Sequence, residues 1–162
     1  MNKLIVKKAA VLGAGVMGAQ IAAHLANANV PVVLFDLPAK EGDKNGIVKR
    51  ALDGLKKLDP APLSGKAKLK YIDAANYEEH LSLLADCDLV IEAIAERMDW
   101  KNDLYAKIAP HLGANAIVAS NTSGLSMNAL AQGLPENVRP RFCGIHFFNP
   151  PRYMHLVEII GT

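Results

Sequence analysis

The stretch Ala9-Ala10-Val11-Leu12-Gly13-Ala14-Gly15-Val16-Met17-Gly18 decides the fold. Four apolar residues run into G-x-G-x-x-G, and residues 16–28 then repeat small and apolar side chains at helical spacing. A strand turning into a helix through three glycines can bring backbone against a pyrophosphate. The first glycine makes the turn, the second admits the phosphates and the third lets helix pack on strand, while the helix N-terminus offers free N–H groups. Asp36 closes the next apolar run, Val32-Val33-Leu34-Phe35, eighteen residues after Gly18. A carboxylate there is placed to accept from an adenosine ribose 2′-OH. It would repel a 2′-phosphate, and Leu37-Pro38-Ala39 supplies no cation before Lys40. The expected cofactor is therefore NAD rather than NADP, held by Gly13, Gly15, Val16, Met17, Gly18 and Asp36.

Outward from this turn, short apolar runs recur at 89–91, 116–119, 142–145 and 156–160, bounded by Gly, Pro, Asp or Asn. Continuous apolar runs mark strands buried on both faces. Between them, Ile47, Ala51, Leu55 and Leu58 form a stripe on a second helix, and residues 77–84, 99–109 and 126–132 are shorter helix candidates. The expected fold class is α/β, a Rossmann-type doubly wound, mostly parallel sheet with helices on both faces. The two prolines of Asp59-Pro60-Ala61-Pro62-Leu63 make that segment a loop, and Gly133 to Pro140 another. No linker or repeat divides the chain, so residues 1–162 read as one domain. The sequence stops two residues after its final apolar run, which reads as one domain of a longer protein.

Composition narrows the class of partner. Over 162 residues, 51% are hydrophobic, 21% are charged and the formal net charge is +2. That near-balance gives no basis for a nucleic-acid or membrane partner. Two distant cysteines, Cys87 and Cys143, exclude a disulfide framework and favour a reducing, cytoplasmic setting. No run approaches the roughly 18 apolar residues of a membrane span. Met1 leads almost directly into a strand-like segment, so no leader peptide is expected.

The last fifty residues hold the chemistry. Ser120-Asn121-Thr122-Ser123 follows the run 116–119, concentrating hydroxyls and an amide at a strand's C-terminal end, where open α/β sheets bind ligands. Ser126 or Thr122 also suits a helix cap. His146 closes the run 142–145 and is followed by Phe147-Phe148-Asn149-Pro150-Pro151. Glu158 interrupts the apolar run 156–160, and a buried carboxylate needs a partner. By strand alternation His155 lies on the opposite face, which leaves His146 as the better partner. An imidazole held by a carboxylate through one nitrogen presents the other as a general base. A structural His–Glu pair is the competing reading.

The segments Gly13 to Gly18, Ser120-Asn121-Thr122-Ser123, His146-Phe147-Phe148-Asn149-Pro150 and Leu156-Val157-Glu158 together resemble the NAD-binding domain of L-3-hydroxyacyl-CoA dehydrogenases. The resemblance spans nearly the whole chain. Asp59-Pro60-Ala61-Pro62-Leu63 and Asn149-Pro150-Pro151-Arg152-Tyr153 look more like long bacterial members that also carry an enoyl-CoA hydratase region. The resemblance implies His146 as catalytic base, Glu158 as its orienting partner, Ser123 as hydrogen-bonding to the substrate oxygen, and Asn149 near nicotinamide and substrate. Ser123 and Asn149 thus also border the cofactor, and Glu96 and Lys101 match cofactor-contacting positions. It implies an acyl-CoA substrate, a role in fatty acid β-oxidation, and an oligomer in the longer protein. Gly124 departs from the family, many of whose members have a second serine there. The larger departure is length, because the family's C-terminal helical domain for substrate and dimer contacts is absent from this sequence. A non-catalytic NAD-binding module would need none of Ser123, His146 and Glu158. Another NAD-linked hydroxy acid dehydrogenase would lack the His-Phe-Phe-Asn-Pro segment.

Other features read as bland. The lysines between Lys44 and Lys70, interspersed with Asp43, Asp53 and Asp59, form a solvated face, with a seat for the CoA phosphates as the sharper alternative. Cys143 and His146 have C-x-x-H spacing without a second pair, so no metal site is expected. Cys143, Trp100 and the methionines read as packing, and His24, His80 and His111 as solvated. Glu92 in Leu89-Val90-Ile91-Glu92 poses the same burial problem as Glu158 and has no evident partner in the sequence.

Overall fold

The computed structural model describes residues 4–162. The elements in chain order are β1 (Ala9–Leu12), α1 (Val16–Asn27), β2 (Val32–Asp36), α2 (Gly46–Leu55), β3 (Ile72–Asn76), β4 (Leu89–Glu92), α3 (Met98–Ile108), β5 (Ile117–Ser120), α4 (Met127–Gln132), β6 (Phe142–Phe147) and β7 (Val157–Ile160). They build one seven-stranded sheet in the order β3-β2-β1-β4-β5-β6-β7. All pairs are parallel except β6–β7, which is antiparallel. This is the doubly wound sheet that the apolar runs predict, since both faces of the central strands are covered. Ala10, Leu12 and Phe35 pack with Tyr105, Ile108 and Leu130 from α3 and α4. Ala9, Val11 and Leu34 pack with Ile21 and Ala22 of α1 and Val48 of α2. Alternate residues of one strand thus feed two separate cores.

The strand order reverses between β1 and β4. Sequential strands run outward from β1 on one side and from β4 on the other, which opens a crevice at their C-terminal ends. Gly13 and Ala93 stand at that opening.

The structure corrects several expectations. Residues 77–84 are not one helix. Strand β3 ends at Asn76, whose buried side chain accepts from the N–H groups of Glu78 (3.0 Å) and Glu79 (2.9 Å), and only 81–86 form a 3-10 turn. The second helix stops at Leu55, leaving Leu58 exposed. Strand β7 is solvent-facing along its length, so Glu158 is half-exposed rather than buried among apolar neighbours. Trp100 is exposed as well, with the Arg97 guanidinium 4.5 Å from its ring. Cys143 is partly buried and packs against the second core, in keeping with its reading as a packing residue. The three histidines are part-buried rather than solvated, and the Nδ1 of His80 accepts from the Asn76 N–H at 3.1 Å. The lysine-rich segment, by contrast, is the exposed face expected of it, with ion pairs Lys44–Glu78, Lys49–Asp43 and Lys56–Asp53.

Candidate active site

The glycine turn has the geometry its spacing requires. Gly13 has φ +102°, and a side chain there would lie 2.8 Å from the Ala93 carbonyl oxygen. A Cβ on Gly18 would fall 1.8 Å from the Gly13 oxygen, so α1 can pack on β1 only through a glycine. Gly15 is different, for a Cβ there meets nothing within 4 Å. It faces open space, caps α1 without a side chain, and is followed by the exposed Val16 and part-buried Met17. A bare helix N-terminus with an open approach is what an anion needs. Asp36 stands beside the turn, its carboxylate accepting from the N–H groups of Ala14 (2.6 Å) and Leu37 (2.7 Å). These residues fit a bound dinucleotide.

Two cavities open from the turn and share Gly15, Ala93, Ile94 and Ala95. One, of about 520 Å³, is bordered by Asp36, Leu37, Tyr77 and Trp100 and is mostly apolar. The other, of about 440 Å³, holds Glu96, Asn121, Ser123, His146, Phe148 and Asn149. Three of the four expected catalytic residues, Ser123, His146 and Asn149, therefore line one cavity, and Glu158 does not.

His146 and Glu158 are directly opposed in the β6–β7 ladder. The Nδ1 of the imidazole lies 2.8 Å from Glu158 Oε2, and the imidazole is the more buried of the two. The partnership expected from sequence is present, but its cause is antiparallel register, not a shortage of partners in an apolar strand. Phe148 packs against the ring with centroids 4.6 Å apart. The loop after β5 is fastened from below. Asn121 Oδ1 accepts the Phe147 N–H at 2.9 Å, tying the serine loop to the histidine strand. Glu96 accepts the Ser123 N–H at 2.9 Å and the Thr122 hydroxyl. Burial pushes the Glu96 carboxyl up, but those two donors, the Lys101 charge and the Gly124 N–H together hold the group below the usual carboxylate range. Ser123 itself is exposed to the cavity, while Ser126 caps α4 through the Ala129 N–H. Asn149 is reached by the buried Gln20 amide of α1 at 3.4 Å. Lys101, like Glu158 and Gly18, lines neither cavity. It is 1% exposed and its ammonium lies on Glu92 at 2.6 Å, away from both cavities. Among the described residues there is no cluster of three metal-ligating side chains.

The family model for the NAD-binding domain of 3-hydroxyacyl-CoA dehydrogenases matches residues 8–162. The chain belongs to this family. Among relatives of the 3-hydroxyacyl-CoA dehydrogenases, a putative fatty acid oxidation complex trifunctional enzyme of Rickettsia felis is 51% identical over 156 residues, which are 96% of this chain and 22% of the relative. A probable 3-hydroxyacyl-CoA dehydrogenase of Deinococcus radiodurans is 46% identical over 97% of this chain and 46% of its own length. The crystal structure of 3-hydroxybutyryl-CoA dehydrogenase from Escherichia coli K12 superposes with a TM-score of 0.79 at 33% identity, covering 96% of this chain and 32% of that one. The chain thus spans less than half the length of these curated relatives. It is an NAD-binding domain of the 3-hydroxyacyl-CoA dehydrogenase family, and its cofactor is NAD. No helix among the described residues is long and apolar enough to cross a membrane.

Sequence reading flags Glu92 without finding its partners, and misses the roles of Ser120, Tyr105 and Tyr77. Glu92, Ser120 and Tyr105 form a buried cluster whose only signal is a glutamate inside an apolar strand. Tyr77 borders the apolar cavity from just beyond β3, a strand too weakly patterned to be found.

Proposed function

We propose that the chain carries the cofactor cradle and the acid–base group for reversible oxidation of an L-3-hydroxyacyl-CoA to the 3-ketoacyl thioester. The observation that carries this reading is His146, paired with Glu158 behind it and lining one cavity with Ser123 and Asn149 next to the glycine turn. Bound NAD supplies the hydride acceptor. The cradle of Gly13, Gly15, Val16, Met17 and Gly18 holds the pyrophosphate on the α1 N-terminus, and Asp36 takes the adenosine ribose. Glu158 engages Nδ1 of His146 and leaves Nε2 free to take the hydroxyl proton as the C3–H bond breaks. Ser123 donates to the substrate oxygen, its loop braced by Glu96. Asn149, whose side-chain oxygen accepts from the Gln20 amide, would contact the nicotinamide and the substrate. The contribution of the protein is alignment and one placed base.

The acyl-CoA substrate, a place in fatty acid oxidation, an oligomer of the longer protein and a cytoplasmic setting belong to the same proposal. The apolar solvent-facing residues of β7, Ile159 at 68% exposure foremost, support a further protein surface there, and two free cysteines support a reducing compartment. The test is acetoacetyl-CoA reduction by NADH, followed at 340 nm in the protein at its full encoded length. His146→Gln is expected to lower kcat by roughly 10²- to 10⁴-fold, the range of a placed general base, while NADH affinity stays within about twofold. Near-normal turnover by that variant would remove the base assignment.

A further inference from the structure

The strap between β6 and β7, residues 148–156, carries Asn149 and separates His146 from Glu158 along the chain. It turns on itself, with the Tyr153 and Met154 N–H groups both on the Pro150 carbonyl at 3.0 Å. Strand β7 beyond it pairs with β6 alone. Among the described residues, and outside the ladder and the His146–Glu158 contact, two side chains supply the hydrogen bonds that tie 150–161 to the rest of the molecule. Arg152 Nη1 donates to the carbonyls of Ala61 (2.7 Å) and Leu63 (2.8 Å), and the Tyr153 hydroxyl donates to Ala61 (2.7 Å). The guanidinium also lies 5.3 Å from the centre of the Tyr153 ring.

What the two residues grip is itself well anchored. Leu63 is 8% exposed and packs in the core shared with α1 and α2. Asn27, the last residue of α1, spans it: the side-chain amide donates to the Pro62 carbonyl and the side-chain oxygen accepts the Ser64 N–H, both at 2.8 Å. Three successive carbonyls are therefore engaged, that of Pro62 by α1 and those of Ala61 and Leu63 by side chains 89 to 92 residues away in sequence. Neither Arg152 nor Tyr153 lines a cavity, and Tyr153 is 41% exposed. Hydrogen bonds at a wetted surface add little to global stability, because water competes for the same groups. Their placement is explained by the segment they hold. The Asn149 side chain has one partner, the Gln20 amide at the long distance of 3.4 Å, and β7 belongs to the ladder that opens most easily. A loose strap would carry Glu158 off the imidazole and Asn149 out of the cavity.

We propose that Arg152 and Tyr153 are positioning residues for the reaction, fastening the strap to the 61–63 loop so that Asn149 and the His146–Glu158 pair keep one geometry. They act without touching substrate or cofactor. This rests on the reading of His146 as the base. It gives the proline-bearing loop after α2, otherwise a bare connection, a part in turnover.

The experiment measures kcat and KM for acetoacetyl-CoA, and Kd for NADH, in the protein at its full encoded length, well below the Tm of every variant. Arg152→Met is expected to lower kcat roughly 10- to 100-fold, as small misplacements remote from the chemistry do. KM and NADH Kd should stay within about threefold, since the lost interaction acts on the transition state rather than on binding. Arg152→Lys should recover part of the loss, because an ammonium can still donate to both carbonyls. Tyr153→Phe, which keeps the ring and loses one hydrogen bond, should lower kcat about threefold or more. Wild-type kcat in Arg152→Met, with a lowered Tm, would make the clasp a matter of stability alone and overturn the proposal. A loss confined to KM, and absent with acetoacetyl-pantetheine, which lacks the adenosine phosphates, would make Arg152 a direct contact of the coenzyme A and overturn it as well. Should Arg152→Met not fold, the exposed Tyr153→Phe decides, and wild-type kcat there refutes the clasp. A wild-type protein without turnover, or His146→Gln with normal turnover, removes the proposed function itself. Clasp variants at the wild-type rate in an active protein remove this proposal alone.

Discussion

Replacing Gly15 with alanine separates binding from folding more cleanly than any other change in the turn. Gly15 has φ −70° and ψ −171°, a conformation open to any residue, and a Cβ there meets nothing within 4 Å. Alanine gains about 0.4–1 kcal/mol by restricting the unfolded chain. It gives back a similar amount, about 0.5–1 kcal/mol, as a poorer helix N-cap than glycine. The two nearly cancel, so Tm should move by less than about 4 °C in a domain of this size. The new methyl group points into the approach that a pyrophosphate must use. Losing one charge-assisted hydrogen bond between backbone N–H and phosphate costs about 1.5–3 kcal/mol. At 1.4 kcal/mol per decade that is about a tenfold to hundredfold rise in NADH Kd. Gly18→Ala is the contrasting control, since its Cβ would fall 1.8 Å from the Gly13 oxygen and folding itself should suffer. Fluorescence titration with NADH and a thermal melt on both variants supply the readings. A Gly15→Ala chain that binds NADH as wild type does would show that the pyrophosphate does not lie on this turn.

Two further outcomes follow from the site and its surroundings. Glu158→Gln should lower kcat by less than the full loss of the base, roughly tenfold to a hundredfold given that the carboxylate is half-exposed, with NADH affinity unchanged; equal kcat in steady-state assays would detach Glu158 from the histidine. His24 is held below its ordinary value by burial first and by the Arg152 charge second. Its unfolded form therefore binds the proton more readily than its folded form, so the folded state is favoured above pH 6.5 and loses stability as the pH falls through that value. His24→Gln should flatten that part of a urea-melt series between pH 7.5 and 5.5, and a variant with the wild-type slope would assign the acid sensitivity elsewhere.

The parallel sheet was legible because its central strands are buried on both faces, and burial on two faces writes itself into sequence as uninterrupted apolar runs. Strand β3 was not, because Ile72-Asp73-Ala74-Ala75-Asn76 lies at an edge and leaves Asp73 in solvent. The glycine turn was legible residue by residue, since Gly13 and Gly18 answer steric demands and Gly15 leaves the helix N-terminus open. The His146–Glu158 pair was found for an incomplete reason. Burial of the carboxylate pointed to a partner, whereas the partner comes from cross-strand register on an exposed strand. The Glu92 cluster was legible only as a problem. A fourfold-bonded carboxylate draws its donors from β5, α3 and the turn after β4, and nothing local to Glu92 announces which they are.

The pairing of β6 with β7 has a consequence for how the molecule fails. The cradle for NAD rests on β1 and β4, in the middle of the sheet, while the imidazole depends for its companion on the outermost ladder. Outer ladders fray at lower free energy than inner ones. On gentle warming, proton handling should therefore be surrendered first, leaving a chain that still captures its dinucleotide but no longer has the means to use it.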